Sequence, residues 1–111
     1  MNELVERLAR EDQAVVVGGP SPQVADLQER IEQLGYVFIK FTGTRGGTDL
    51  GVRLDRAATQ TAQADFAHAT GRIHIEGTLT LDFVPVRCVA DIDLATLAGT
   101  GRIIVQPSPQ T

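Results

Sequence analysis

The stretch that decides the fold is residues 71–94, GRIHIEGTLTLDFVPVRCVADIDL. Apolar residues alternate with polar ones along its first half, and the alternation changes parity after Asp82 and Phe83. A single strand of this length would extend about 80 Å, whereas a domain of this size has a radius of gyration of about 13 Å. The stretch therefore predicts two antiparallel strands joined by a turn near Asp82–Pro85.

Apolar packing and charge select the same register for this hairpin. When Leu81 is set opposite Val84, each inward-pointing residue meets an apolar or small partner across the pair. The same alignment sets His74 opposite Asp91 on the other face, and its neighbouring polar pairs are also of opposite charge. A slip of two residues would keep the apolar face together but would misalign the charges. We therefore expect the first register.

Other apolar runs predict further strands and a second hairpin. They lie at 14–17, 36–42, 49–54 and 102–105. In the hairpin we expect Phe41 opposite Leu50, because this register sets Arg53 against the ring of Phe38, where a cation–π contact can form. Residues 56–70 have no sustained period and predict a loop.

Helix signals surround residues 21–34. Ser21 suits the N-cap, Pro22 the first helical position and Gly35 the left-handed residue that ends a helix. A second, shorter helix is predicted at the N-terminus, where Asn2 can act as the cap. The apolar residues of the longer helix fall on one stripe and are Val24, Leu27, Ile31 and Leu34.

The order of elements is thus helix, strand, helix and then five strands. Strands joined by short turns pair antiparallel, and the apolar face of their sheet must be covered. We therefore expect an α+β fold: a mainly antiparallel sheet of five to six strands, with the principal amphipathic helix (21–34) packed on one face and a short N-terminal helix. A sheet of this length can also curl into a half-open barrel.

Length and composition narrow the class of protein. The chain has 111 residues and a net charge of −4, which predicts one domain over 1–106 followed by a flexible tail at 107–111. An acidic balance argues against nucleic acid as a partner, and no apolar run approaches the roughly 20 residues of a membrane span. With Cys88 as the single cysteine, no internal disulfide forms, and we expect a cytoplasmic protein.

Candidate ligand-binding residues gather on the polar face of the 71–94 hairpin. Its register brings His74, Glu76, Arg87 and Asp91 together, and Arg45 stands at the tip of a Gly-rich turn, where a guanidinium can meet a carboxylate or phosphate. A solvated ladder of opposite charges explains the same cluster without a ligand, so both interpretations stay open.

Residues for catalysis are few. Cys88 shares parity with the core-facing positions of its strand, and the serines are Ser21 and Ser108 alone. The Gly18–Gly19 segment lacks the spacing of a phosphate-binding loop. A metal site would need a second histidine beside His74. We therefore predict no catalytic residue, no metal and no cofactor, and we leave open whether the chain is an enzyme.

Three functions fit these observations. The first, which we favour, is a small soluble accessory, regulatory or structural subunit that acts through protein–protein contacts, in a homo-oligomer or with a larger protein partner. The second is a small-molecule binding protein or cofactorless enzyme with a pocket between the curved sheet and the helix. The third is a metal site on His74 and Asp91, completed by His68 or across a subunit interface.

Overall fold

Two short helices and seven strands make up the part of the chain that this computed structural model describes, residues 3–19, 22–44, 46–81 and 83–106. The helices are α1 (Glu3–Arg10) and α2 (Val24–Glu29), which continues as a π-helical turn (Arg30–Leu34). The strands are β1 (Gln13–Val17), β2 (Tyr36–Phe41), β3 (Thr48–Leu54), β4 (Ala64–Asp65), β5 (Thr70–Leu81), β6 (Val84–Asp93) and β7 (Ala98–Val105). Neither helix has the length and apolar character that crossing a membrane would require.

Six of the strands close into an antiparallel barrel, in the order β3-β2-β1-β7-β6-β5. A seam between β3 and β5 completes the ring, with Arg53 opposite Thr78 and Leu54 opposite Gly77. The two-residue β4 lies outside the ring, on the start of β5, in a region that the sequence predicted as loop. Closure gives every strand of the ring a neighbour on both sides, so none has an edge that is free along its whole length.

The predicted α+β fold is therefore wrong, because neither of the two described helices packs along a sheet face. The sheet curls until its own apolar face is enclosed, and β5 is long enough to pair with β6 along its length and with β3 near its middle. Alternation of apolar and polar residues marks an inner face equally well in a covered sheet and in a barrel. The pattern alone did not distinguish them.

Apolar side chains from nearly every element fill the barrel. The largest fully buried ones in the strands are Phe41, Ile39, Ile73, Ile75, Ile92 and Ile103. The helices lie before and after β1, at opposite ends of that strand, and each adds side chains to the same core. Val5 and Leu8 come from α1, and Leu27 comes from α2.

The predicted helix at 21–34 begins later than expected. α2 starts at Val24, so Pro22 lies before the helix, and Gln23 occupies the N-cap position with an extended backbone. The predicted caps Ser21 and Asn2 lie outside the residues that the structure describes, as does the predicted tail at 107–111.

The end of this helix widens into a π-helical turn. Gly35 has the predicted left-handed backbone (φ 68°), and its amide donates to the carbonyl of Arg30, five residues back. Five-residue spacing changes which side chains share a face. Ile31 is buried as predicted, whereas Leu34 has left the apolar stripe and is 59% exposed.

The β5–β6 hairpin has the predicted register over ten residue pairs. Leu81 lies opposite Val84, and His74 lies opposite Asp91. Two residues connect the strands: Asp82, which lies outside the described residues, and Phe83. The agreement of apolar and charge patterns thus identified this pairing correctly.

The β2–β3 hairpin is also present, but its predicted register is wrong. Phe41 lies opposite Thr48 instead of Leu50, and Lys40 consequently faces Asp49. A shift of two residues leaves every side chain on the same face, so the apolar pattern did not determine the register. The cation over the ring of Phe38 is that of Arg30 in the helix, 5.0 Å from the ring centroid.

Candidate functional site

A chain of charged side chains crosses the outer face of β5 and β6. At its centre is His74, whose Nε2 lies 2.6 Å from Oε2 of Glu76 and whose Nδ1 lies 2.7 Å from Oδ1 of Asp91. The hairpin register positions all three, because His74 and Asp91 are directly opposite and Glu76 is two residues along the same strand. The sequence thus placed these residues together correctly.

Arg87 extends the chain to the barrel seam. Its Nε donates to Oε1 of Glu76 at 3.0 Å, and its Nη2 donates to Oδ2 of Asp55 at 2.7 Å. Sequence reasoning missed Asp55, which directly follows β3. Its amide donates to the carbonyl of Glu76, so barrel closure is what brings its carboxylate to Arg87. We call Asp55, Arg87, Glu76, His74 and Asp91 the polar network.

Hydrogen bonds favour the charged forms of His74, Glu76 and Asp55. Glu76, and then Asp91, raise the pKa of His74 above its ordinary value by accepting hydrogen bonds from the imidazolium. His74 in turn lowers the pKa of the Glu76 carboxyl, and Arg87 lowers the pKa of Asp55. Both ring nitrogens of His74 are engaged, so neither offers a free lone pair to a substrate proton or a metal.

The space beside the polar network is a recess of about 280 Å³ on the outside of the barrel. Its lining includes His74, Asp91, Arg72 and two glutamines of the preceding loop. Glu76 and Arg87, also predicted as ligand-binding, do not line it. The pocket expected between sheet and helix is therefore not where these residues lie, because they face outward and core side chains fill the barrel behind them.

The remaining candidates lie apart from this recess. His68 follows β4, and its Nδ1 contacts Oδ2 of Asp65 at 2.7 Å. Arg45 lies outside the described residues.

Within the described ranges, no group of three or more His, Cys, Asp or Glu side chains has an arrangement suited to a metal ion. The Gly19 amide, considered above for phosphate, donates to Oδ2 of Asp49 at 2.9 Å, so a carboxylate already occupies it.

The single cysteine is part of the core, as predicted. Cys88 is fully buried in β6, opposite Gly77 of β5. Burial raises the pKa of its thiol to about 12. A thiolate nucleophile is therefore not formed near neutral pH in the folded protein.

The tip of the β5–β6 hairpin carries an exposed aromatic residue that sequence reasoning did not single out. Phe83 is 98% exposed and has a left-handed backbone with φ of 68°. Such turn positions usually hold glycine, asparagine or aspartate. The sequence did contain a signal for this exposed residue, because the predicted turn between Leu81 and Val84 includes a phenylalanine.

A cleft of about 720 Å³ opens between β3 and β5, next to this tip. Beyond the seam the register would set Gly51 opposite Thr80, but these two residues are not paired. The edges of β3 and β5 are therefore not paired at these two residues, which both line the cleft. Apolar residues lining it are Leu50, Leu79, Leu81 and Val86, and polar ones include Tyr36, Asp49, Arg53 and Thr80.

The chain matches no protein-family model and no curated protein. Its surface carries two features from which a function can be inferred: the polar network, and the β3–β5 cleft with Phe83 beside it.

Proposed function

We propose that this protein is a non-catalytic accessory, regulatory or structural subunit that binds another polypeptide through the tip of its β5–β6 hairpin. The observation that carries the proposal is Phe83, a large aromatic side chain that is 98% exposed at a left-handed backbone position. Because the Phe83 ring is hardly buried in the free chain, it contributes almost no hydrophobic stabilisation to the fold.

The energetics of Phe83 favour burial by a partner. A left-handed backbone costs a bulky residue about 1–2 kcal/mol, whereas burying a phenylalanine side chain returns about 1.5–3 kcal/mol. Ten residue pairs join β5 and β6, and this regular hairpin holds the turn that carries Phe83 in place. A rigid aromatic anchor of this kind is typical of residues that dominate protein interfaces.

The condition of the reactive side chains supports binding over catalysis. The thiol of Cys88 is buried and protonated, and the ring of His74 is held between two carboxylates. Neither group is poised as a nucleophile or a general base. The polar network instead stabilises the hairpin that presents Phe83, since four of its five members lie on β5 and β6.

Photo-crosslinking tests this proposal. A benzophenone amino acid at position 83 should give one discrete adduct in the producing cell, identified by mass spectrometry. In a cell lysate, excess purified unmodified protein should reduce the capture of any polypeptide other than this chain, and a Phe83→Ser variant should not. Position 34 is the matched control, because Leu34 is also apolar and exposed but lies at the end of α2. Equal crosslinking at both positions, or equal competition by Phe83→Ser, would contradict the proposal.

A stability measurement separates this role from a structural one. The measurement is made at a protein concentration at which the chain is a monomer, so that loss of association does not contribute. Because the Phe83 ring is exposed and its backbone strained, Phe83→Asn should then unfold at a temperature no lower than the unmodified protein, since asparagine tolerates the left-handed region. A substantially lower unfolding temperature for this variant would mean that Phe83 serves the fold.

A further inference from the structure

We infer that the partner is a second copy of this chain, and that Phe83 of each copy enters the β3–β5 cleft of the other to form a two-fold symmetric dimer. The inference rests on the proposed function, because it names the polypeptide that the hairpin tip binds. It is carried by two features on one molecule: an exposed aromatic side chain and, beside it, a cleft with an apolar floor and room for that ring.

The cleft suits a phenylalanine in size and chemistry. Its volume of about 720 Å³ lies in the range of pockets that enclose a small organic ligand, so it has room for the ring and the turn that carries it. Its apolar lining residues belong to the core: Leu50, Leu81 and Val86 are buried and Leu79 is partly buried. They form an apolar floor, and polar residues make up the rest of the lining. A ring that reached this floor would withdraw apolar surface from water.

The positions of the two features permit a closed pair. Leu81, the last residue of β5, and Pro85, the second residue of β6, both line the cleft, so the cleft begins within two residues of Phe83. A two-fold axis can then exchange both contacts at once, each copy giving a ring and receiving one. The same two features on opposite faces would instead link copies head to tail into an open chain.

Polar groups at the cleft fit the approach of an identical surface. Asp49 and Arg53 lie on the outward face of β3 and both line the cleft, so its charges nearly cancel and two copies do not repel there. Across a two-fold axis, such opposite charges can pair reciprocally. Gly51 and Thr80 line the cleft without pairing to each other, so two strand edges border the place that an incoming turn would occupy.

Sedimentation velocity of the full chain, with two single variants, tests the dimer. Phe83→Ser removes the ring, and Thr80→Arg places a long side chain in the cleft from an exposed position. We expect the unmodified protein to be a dimer and each variant to weaken it about a hundredfold or more, since two buried rings are lost per dimer. Thr100→Arg is the matched control, being an exposed strand threonine on β7, and should remain dimeric.

Mixing the two variants gives the decisive measurement. Phe83→Ser keeps an intact cleft and Thr80→Arg keeps an intact ring, so their mixture restores one of the two contacts. We expect heterodimers in the mixture at concentrations where each variant alone is a monomer. Circular dichroism of each variant establishes that it is folded.

The outcomes separate this inference from the proposed function. A monomeric unmodified protein, or a mixture without heterodimers, would overturn the second-copy assignment. If crosslinking at position 83 nevertheless captured a different polypeptide in a Phe83-dependent manner, the proposed function would stand. If crosslinking also failed to depend on Phe83, both would fall.

Discussion

Replacement of His74 by glutamine should remove the loss of stability that the unmodified protein undergoes over the pH interval above 6.5, the ordinary pKa of histidine. His74 is held as an imidazolium by Glu76 and Asp91, which raise its pKa above the ordinary 6.5. The native state therefore binds protons more tightly than the unfolded state. Its contribution to stability is fully present below 6.5 and is lost as the pH rises through the raised value.

The size of the effect follows from exposure. The side chains of His74 and Glu76 are 28% and 24% exposed, so their contact belongs near the upper end of the range for solvent-accessible ion pairs, about 1 kcal/mol. Asp91 is more exposed and adds about 0.3 kcal/mol. The unmodified protein should therefore lose about 1 kcal/mol more than His74→Gln over this pH interval.

Urea unfolding followed by far-ultraviolet circular dichroism measures this difference, because the chain has no tryptophan. With a denaturant slope of about 1–3 kcal/mol per molar urea, the two midpoints should change relative to each other by about 0.5 M. His68→Gln is the control: its ring is 78% exposed beside Asp65, so this variant should follow the unmodified protein. Parallel pH dependences for the unmodified protein and His74→Gln would refute the reasoning.

Three further changes test the seam, the core and the polar network. Gly77→Ala places a methyl group against a backbone carbonyl of β3 at the seam, and should lower the free energy of unfolding in urea by about 2–3 kcal/mol. Gly43→Ala is the control, because the nearest neighbour of Gly43 is a side-chain atom at 3.5 Å. It should change the free energy of unfolding by less than about 0.5 kcal/mol. Cys88 should resist iodoacetamide in the folded protein near pH 8 and react fully in urea, because burial raises its pKa to about 12; mass spectrometry would detect early alkylation if this is wrong. Arg87→Met removes the cation bound by Glu76 and should lower the unfolding free energy by about 1 kcal/mol through that pair, and unchanged urea midpoints would show that the contact contributes nothing.

The sequence was most informative where two independent patterns coincide. The pairing of β5 with β6 was predicted because a single alignment satisfied both Leu81 opposite Val84 and His74 opposite Asp91. The cluster of His74, Glu76, Arg87 and Asp91 followed from that register. Cys88 was correctly placed in the core because it alternates in step with the other inward-facing residues of β6.

Contacts between distant segments were beyond these patterns. Nothing in the alternation of β3 indicates that Arg53 will meet Thr78, so neither barrel closure nor the role of Asp55 was predicted. In the β2–β3 hairpin, a shift of two residues preserves the faces, and only the pairing of Lys40 with Asp49 could have indicated the actual register. Because the closed barrel encloses its own apolar face, no long helix is needed to cover that face. The helical segment that forms, 24–34, is shorter than the predicted helix at 21–34.

The seam described above has a consequence for where the native barrel opens. Two residue pairs join β3 to β5 there, whereas ten join β5 to β6. Transient opening should therefore start at this junction, and amide protons there should exchange with solvent before those of the β5–β6 hairpin.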